Sequence, residues 1–162
     1  MLVIVCGLPG TGKTTFAKKL APLINSVVLS TDKIRKELIT KPTYQKEERR
    51  LIYDVMMLLA KYLHDSGTNC ILDVTFNREE SILEVKKKLR IPDNEFFVIE
   101  CICPENIIFS RIKTRKNDYS DASIDVYQKM KKIYEPAKES IRIDTTLDPV
   151  KNAEIVSDII LG

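Results

Sequence analysis

The chain begins with an apolar run that leads into a glycine-rich segment, and the two together restrict the possible folds. The run from Leu2 to Cys6 is apolar and mostly β-branched, which predicts a strand buried on both faces. The next segment fits the pattern G-x-x-x-x-G-K-[ST], with its fixed positions at Gly7, Gly12, Lys13 and Thr14. Apolar residues at helical spacing follow. The motif therefore lies between a predicted strand and a predicted helix.

The residue types of this segment suit a polyphosphate ligand. Glycines let backbone N–H groups turn inward as a ring of donors, and the following helix adds its unpaired N–H groups. Lys13 can reach the outer phosphates, and Thr14 offers a hydroxyl to Mg²⁺. A chance match in a chain of this length has a probability well below about one in a hundred. We therefore predict that a nucleoside triphosphate contacts Gly7, Leu8, Pro9, Gly10, Thr11, Gly12, Lys13, Thr14 and Thr15.

Strands and helices alternate along the rest of the chain. Further strands are predicted at 26–30, 69–74, 95–101 and 141–144, with helical patterns between them. Because this alternation is typical of βα units, we predict an α/β fold with a three-layer, doubly wound sheet of five parallel strands. Ligands of such sheets bind at the carboxyl ends of the strands.

The bulk properties fit one domain covering residues 1–162. A chain of this length can bury a sizeable core, and no linker or repeat divides it. The net charge of +3 neither requires nor excludes a nucleic-acid partner. No apolar stretch is long enough to cross a bilayer, and no signal peptide is visible. We expect a cytoplasmic protein with no membrane partner, present as a monomer or a weak homodimer.

Asp32 and Arg35 are candidates for the chemical step. They follow the second predicted strand and are three residues apart at the start of a helix, so they share a face. Asp32 could accept a proton from a substrate hydroxyl, and Arg35 could hold a phosphate group. The alternative is a helix-start carboxylate that pairs with its own arginine. Their position beside the phosphate-binding segment favours a role in the reaction.

Three further residues are candidates at the same edge of the sheet. Asp73 ends the third strand, where a carboxylate could support Mg²⁺; the alternative is that it caps the next segment. Arg111 and Arg115 are four residues apart, directly before a polar segment, which predicts a lid around 111–123. Two arginines there could stack on a base and neutralise charge on a transferred phosphoryl group. The alternative is a solvated basic helix face.

Over nearly its whole length the sequence resembles the small P-loop kinases related to polynucleotide kinase and zeta toxin, a group also described as AAA-type kinases. The resemblance rests on the segments 7–14, 30–35 and 73–76, and on Arg111 and Arg115 before 120–122. It implies a P-loop NTP hydrolase fold of the nucleoside and polynucleotide kinase type. One departure is Phe76 followed by Asn77, in a stretch where polynucleotide kinases usually show Asn.

The resemblance also implies roles for individual residues. Lys13 and Thr14 would bind ATP with Mg²⁺, and Asp32 would act as base toward a hydroxyl group. Arg35 would contact the acceptor, and Arg111 would lie near adenine with Arg115 as the second lid arginine. The segment 146–149 would also touch the base.

These expectations define a leading function and two alternatives. The leading one is an ATP-dependent kinase that transfers the γ-phosphoryl group of ATP to a hydroxyl acceptor. That acceptor could be a polynucleotide, a nucleoside, a tRNA-linked group or a small metabolite. The alternatives are an ATP-binding regulatory module and an ATPase without an acceptor substrate. A GTPase is disfavoured because the sequence has no Asn-Lys-x-Asp signature.

Overall fold

A computed structural model describes residues 1–76, 78–114 and 122–162. These residues form one sheet with the strand order β2-β3-β1-β4-β5, and all four strand pairings are parallel. The five-stranded parallel sheet predicted from the sequence is therefore confirmed. The strands are β1 (Leu2–Cys6), β2 (Ser26–Ser30), β3 (Asn69–Asp73), β4 (Phe96–Ile102) and β5 (Ile141–Asp144).

Helices cover both faces of the sheet, which confirms the three-layer α/β architecture. One core contains residues of α1 and α7 and lies on one face; the other contains residues of α2, α3 and α4. No helix among the described residues is long and apolar enough to cross a membrane. The helices are α1 (Lys13–Leu23), α2 (Thr31–Leu38), α3 (Lys46–Asp65), α4 (Glu79–Leu89), α5 (Glu105–Thr114), α6 (Ile124–Lys131) and α7 (Pro149–Leu161).

β1 lies at the centre of the sheet, and all its residues are buried. Leu2 and Ile4 belong to the core under α3 and α4, whereas Val3 and Val5 belong to the core under α1 and α7. This alternation follows from the two-residue period of a strand. The carboxyl end of β1 therefore delivers the glycine-rich segment to the middle of the sheet edge.

The apolar faces of α2 and α3 are narrower than the sequence predicts. Helical spacing in the sequence predicts that Ile34 and Leu38 are both buried; Ile34 is, but Leu38 is 59% exposed. On α3, Ile52 and Met56 are buried as expected. The sheet covers only one side of each helix, so a wider apolar face remains partly in solvent. The expected core residues of α3 that are exposed are Leu51, Leu59 and Tyr62.

α6 is shorter than predicted. The sequence pattern favours a helix over 121–134 with Ile133 facing inward, but α6 spans Ile124–Lys131. Ile133 follows the helix end and is half exposed. Tyr127 is the residue that α6 buries, as the pattern predicted. α6 nevertheless remains close enough to the sheet edge to contribute to the site described next.

Candidate active site

The glycine-rich segment between β1 and α1 has a backbone that side chains would disturb. Gly7 has φ +138°, and a Cβ atom there would lie 2.5 Å from the backbone oxygen of Cys101. Gly10 has φ +82°, and its Cβ would lie 2.8 Å from Ile108 Cγ2. Left-handed backbone and close contacts both exclude larger residues. The loop therefore packs directly onto β4 and α5.

Lys13 is the first residue of α1 and bends back over the same loop. Its Nζ donates a hydrogen bond to the Leu8 carbonyl oxygen at 2.9 Å. Burial lowers the pKa of Lys13, whereas the negative charge of Asp73 opposes that shift. A buried ammonium group at a loop of this shape suits a phosphate, which would also favour its charged form.

Thr14 and Asp73 bring two oxygen ligands together. The Thr14 hydroxyl donates a hydrogen bond to Asp73 Oδ2 at 2.6 Å. The contact follows from the fold, because β1 and β3 are neighbours and Val5 pairs in register with Asp73. Hydroxyl and carboxylate oxygens are the ligands that Mg²⁺ prefers. This pair fits the Mg²⁺ site predicted from the sequence, since Asp73 is buried and held at the phosphate-binding loop.

Arg111 is tied to the phosphate-binding loop through Thr145. Arg111 Nη1 donates to Thr145 Oγ1 at 3.0 Å, and Nη2 donates to the Thr145 carbonyl oxygen at 2.6 Å. The Thr145 hydroxyl in turn donates to the Thr11 carbonyl oxygen at 2.6 Å. Residues from α5, the β5–α7 connection and the glycine-rich loop therefore hold one another in place.

A cavity of about 520 Å³ lies on this side of the loop. The segment after β5 forms part of its wall, and the exposed side chain of Leu147 offers an apolar surface there. Asp148 fixes this segment, because its carboxylate accepts hydrogen bonds from the backbone N–H groups of Val150 and Lys151. The residues that line this first cavity include Gly10, Gly12, Thr15, Arg111, Thr146, Leu147 and Pro149.

A second cavity, of about 740 Å³, opens on the other side of the same loop. Its lining combines Lys13 and Thr14 with two acidic residues, Asp32 and Asp73, and with Arg35. The structure thus brings together all the described residues to which the sequence assigned phosphate transfer or Mg²⁺, apart from Arg111, which lines the first cavity. The glycine-rich loop and the first turn of α1 separate the two cavities and contribute Gly10, Gly12 and Thr15 to both.

Arg35 is buried and is held by two carboxylates. Its Nη1 donates a hydrogen bond to Asp32 Oδ1 at 3.1 Å. Its Nε lies 3.1 Å from Glu48 Oε1, an ion pair whose angle does not meet hydrogen-bond geometry. The ring of Tyr44 lies 4.8 Å from the guanidinium carbon. Arg35 is therefore positioned by α2, α3 and the loop between them, and the Asp32–Arg35 pairing considered from the sequence is present.

Glu48 also pins the loop between α2 and α3. Its Oε2 accepts hydrogen bonds from the backbone N–H of Thr43 at 2.6 Å and from the Thr43 hydroxyl at 2.8 Å. The Thr43 backbone N–H, followed by its hydroxyl and the charge of Arg35, lowers the pKa of Glu48. Tyr44, next in the loop, has φ +58°, a left-handed conformation that costs a non-glycine residue about 1–2 kcal/mol. This loop is held in a strained conformation at the cavity wall.

Aromatic residues and α6 complete the wall of the second cavity. Tyr53 of α3 and Phe76 meet edge to face, with ring centroids 6.2 Å apart. α6 contributes Val126, Lys129 and Met130 to the lining. Tyr127 fixes α6 to α5, because its hydroxyl donates to Glu105 Oε2 at 3.1 Å. The cavity therefore has an apolar and aromatic side as well as a charged one.

Several contributors to the site were not found from the sequence. Glu48 lies in the polar stretch 44–50, whose composition predicts only that it borders a cleft or solvent. Thr145 directly follows β5, and the rule that ligands bind at strand carboxyl ends could have identified it. Arg115, Asn77 and the part of the predicted lid at 115–121 lie outside the described residues.

Similar sequences are known for most of the chain. The sequence model of the AAA domain family matches residues 2–137. Uncharacterized proteins of Mycobacterium tuberculosis and Mycobacterium bovis are 26% identical over 137 residues, which is 77% of this chain but 28% of their length. The chain therefore spans little more than a quarter of these curated relatives. An adenylate kinase of Buchnera aphidicola is 30% identical over 125 residues, 71% of this chain and 57% of that protein.

A similar structure has also been solved. The Mycobacterium tuberculosis APS kinase, in complex with AMPPNP and APS, superimposes with a TM-score of 0.74 at 18% identity. The superposition covers 99% of this chain and 97% of that one. At this identity the likeness shows the fold alone. The P-loop kinase fold that the sequence resemblance implied is confirmed.

Proposed function

The chain belongs to the AAA domain family, and from that premise we propose that it is a kinase that transfers the γ-phosphoryl group of ATP to a hydroxyl acceptor. The observation that carries the proposal is the second cavity. It places the carboxylate of Asp32 in a space of about 740 Å³ that also contains Lys13 and Thr14. A regulatory module needs no such space beyond its phosphate-binding loop. An acceptor molecule does need it, together with a proton-accepting group.

The first cavity suits the nucleoside part of ATP. Arg111 is held there by Thr145 and can stack its planar guanidinium on a base. Leu147 and the rest of the 146–149 segment offer the opposing surface. The glycine-rich loop and Lys13 then bind the phosphates between the two cavities.

Thr14 and Asp73 would hold Mg²⁺. When bound, Mg²⁺ supplies positive charge that neutralises the β- and γ-phosphates. Thr14 would direct its hydroxyl oxygen toward the ion, and Asp73 would orient that hydroxyl through the contact seen at 2.6 Å. A site with so few protein oxygens is typical of Mg²⁺, which keeps several waters.

Asp32 would accept the proton of the acceptor hydroxyl, and Arg35 would orient the acceptor. Both line the second cavity, and the ion pair with Glu48 keeps Arg35 in place. Lys13 and Arg111 would neutralise charge that develops on the transferred group. Little covalent chemistry falls to the protein, so alignment and charge stabilisation supply most of the rate enhancement.

A transfer assay tests this proposal. The full chain is incubated with γ-labelled ATP and Mg²⁺, and with each acceptor class in turn: 5′-hydroxyl oligonucleotides, nucleosides, tRNA and small sugars. We expect label to pass to one acceptor class, and Asp32→Asn to remove that transfer while ATP still binds. Label released only to water, or ATP bound without turnover in every mixture, would support the ATPase or the regulatory alternative instead.

One observation favours the regulatory alternative. Asp32 lies in an ion pair with Arg35, so part of its charge is neutralised before an acceptor arrives. Under the kinase proposal, the acceptor hydroxyl meets a carboxylate whose Oδ1 already accepts a hydrogen bond from Arg35. The Asp32→Asn variant separates the two ideas, because a regulatory module has no transfer for it to lose.

A further inference from the structure

The solvent side of α3 carries an apolar stripe. Leu51, Val55, Leu58 and Tyr62, here called the α3 stripe, follow one another at intervals of four, three and four residues. At about 100° per residue, these intervals place all four on one side of the helix. Leu51, Leu58 and Tyr62 are 55%, 54% and 67% exposed, and Val55 is partly buried.

This stripe is distinct from the side of α3 that packs on the sheet. Ile52, Met56 and Ala60 are buried in the core and hold α3 to the rest of the domain. The solvent side of a surface helix is ordinarily polar, and contiguous apolar surface commonly marks an interaction site. Leu51, Val55 and Tyr62 belong to the apolar face that the sequence predicts for α3, whereas Leu58 is not part of that prediction.

Charged residues border the stripe in a fixed order of sign. Along the helix these are Arg50, Asp54, Lys61 and Asp65, so the signs run positive, negative, positive, negative. All four side chains are at least half exposed, and their contacts within the helix are Arg50–Asp54 at 3.9 Å and Lys61–Asp65 at 3.2 Å. Asp54 also accepts a hydrogen bond from Lys88 Nζ of α4 at 3.2 Å. Exposed pairs of this kind are worth little, so these charges remain available to another surface.

Both patterns are self-complementary when α3 is reversed. The spacings between stripe residues, which are four, three and four, are the same when they are counted from either end of the helix. In two antiparallel copies, each stripe residue therefore lies beside a stripe residue of the other copy. The signs of the bordering charges become opposite on reversal, so each charge meets its counter-charge. All four charges lie on one side of the stripe, and a parallel twofold copy would place that side against the other side of the partner stripe, so these charges would not meet. Of the possible occupants, a second copy of this chain is the one that both patterns fit.

We propose that the α3 stripe binds the same stripe of a second copy of this chain, with the two helices antiparallel. Leu51 then lies beside Tyr62 of the partner subunit, and Val55 beside Leu58 of the partner subunit. Arg50 lies opposite Asp65 of the partner subunit, and Asp54 opposite Lys61 of the partner subunit. Each contact occurs twice because the arrangement has twofold symmetry.

The dimer is weak and leaves the candidate active site open. A stripe of twelve residues is about 18 Å long, and a contact of that length buries less than about 1,200 Å² in total. Interfaces of this size are typical of transient complexes, so the dimer dissociates on dilution through the micromolar range. Arg49 and Tyr53, the residues of α3 that line the second cavity, lie on the opposite side of the helix. The dimer is therefore independent of the proposed kinase activity.

Sedimentation equilibrium of the full chain tests the surface. We expect a monomer–dimer equilibrium, and we expect Leu58→Glu to raise the dissociation constant at least about tenfold, because a charge would be buried in the interface. Ile155→Glu is the matched control, since Ile155 is also an exposed aliphatic residue, 59%, but lies on α7. It leaves the equilibrium unchanged. Circular dichroism checks that both variants are folded.

A charge exchange tests the antiparallel register. Arg50→Asp and Asp65→Arg each place like charges together twice per dimer, so each raises the dissociation constant about threefold or more. The double variant restores opposite charges and returns the constant to within about twofold of the original. Both changes suit the helix dipole but place like charges beside Asp54 and Lys61 within α3, so circular dichroism checks that each variant is folded. A chain that stays monomeric, a dimer that tolerates Leu58→Glu, or a double variant as weak as the singles would overturn the proposal.

Discussion

The phosphate-binding loop and the loop that carries Tyr44 meet the same cleft, yet different interactions hold them. The first loop owes its shape to glycines with positive φ, packed against β4 and α5. The second owes its shape to side chains, above all Glu48, which joins Thr43 to Arg35. The shape of the glycine-rich loop depends on glycines at fixed positions, so it is tied to a short sequence motif. The loop that carries Tyr44 depends on side-chain contacts, which can change without the loss of a motif. Such a loop suits a surface that selects the proposed acceptor.

The largest effect in this comparison is expected at Lys13. Lys13→Ala removes the cation from the phosphate-binding loop, so transfer falls about a thousandfold or more and ATP binding weakens. Isothermal titration calorimetry and the transfer assay measure both. Lys19→Ala, an exposed lysine on the same helix, is the control and changes neither. Normal transfer by Lys13→Ala would show that the loop does not bind the phosphates.

Asp32→Asn tests the acceptor side alone. It removes the proposed base, so kcat falls about 10²- to 10³-fold while the Kd for ATP stays within about twofold. Glu37→Gln on the same helix is the matched control, since Glu37 is exposed and pairs with Lys33. Equal turnover in Asp32→Asn and Glu37→Gln would remove Asp32 from the mechanism.

Alanine substitutions at Gly7 and Gly67 distinguish the cost of a strained backbone from the cost of steric crowding. Gly7 lies in the glycine-rich loop, and Gly67 follows α3. Gly7→Ala and Gly67→Ala both place alanine at positive φ, which costs about 1–2 kcal/mol of the free energy of unfolding. Only Gly7 has a neighbour in the way, the Cys101 oxygen, whereas Gly67 has open space. Chemical denaturation should show the larger loss for Gly7→Ala, by about 1–3 kcal/mol, together with weaker ATP binding. Similar losses in both variants would mean that the loop can move away from β4.

Glu48→Gln is expected to weaken the contacts that hold the loop between α2 and α3, and to leave the glycine-rich loop unchanged. Loss of the charge loosens Arg35, so the KM for the acceptor rises about tenfold while the Kd for ATP is unchanged. The pKa of Glu48 is lowered from its ordinary value of 4.5, so its stabilisation is complete above that value and is lost as pH falls through the lowered pKa. The difference in unfolding free energy between wild type and Glu48→Gln should therefore shrink on acidification. A constant difference from neutral to strongly acidic pH would contradict this role.

Thr145→Val is expected to have the smallest effect. It removes the hydroxyl that joins Arg111 to Thr11, so ATP affinity falls about three- to tenfold and the acceptor KM is unchanged. A double-mutant cycle with Arg111→Ala provides the control. If Thr145 acts through Arg111, the double variant binds ATP no more weakly than Arg111→Ala alone. Additive losses would assign Thr145 a separate contact.

The fold and the shape of the glycine-rich loop could be predicted because their signals are local. The strand, the glycine pattern and Lys13 lie within the first fifteen residues, and each has one physical explanation. Asp32 and Asp73 could be placed from the rule that parallel strands direct their carboxyl ends to one edge. The structure lines one cavity with both. Their roles in the reaction remain predictions.

The acceptor side could not be predicted in the same way. Glu48 of α3 pairs with Arg35 of α2, and the ring of Tyr53 in α3 contacts the ring of Phe76, which follows β3. No spacing rule links these positions, because the contacts depend on how α3 lies on the sheet. The exposed stripe of α3 has the same origin, since an apolar face alone does not reveal which part of it a neighbour covers.

The order of strands and helices, the parallel sheet and a loop that suits a triphosphate could all be recognised in the amino-acid sequence. Hydrophobic periodicity and glycine geometry act over a few residues, so they can be recognised without knowing what lies across the chain. The side chains that face the cleft, the contacts that hold Arg35 and Arg111, and the part of α3 that remains in solvent became apparent from the folded domain alone. Those outcomes depend on the packing of distant elements against one another, and packing is a property of the whole fold.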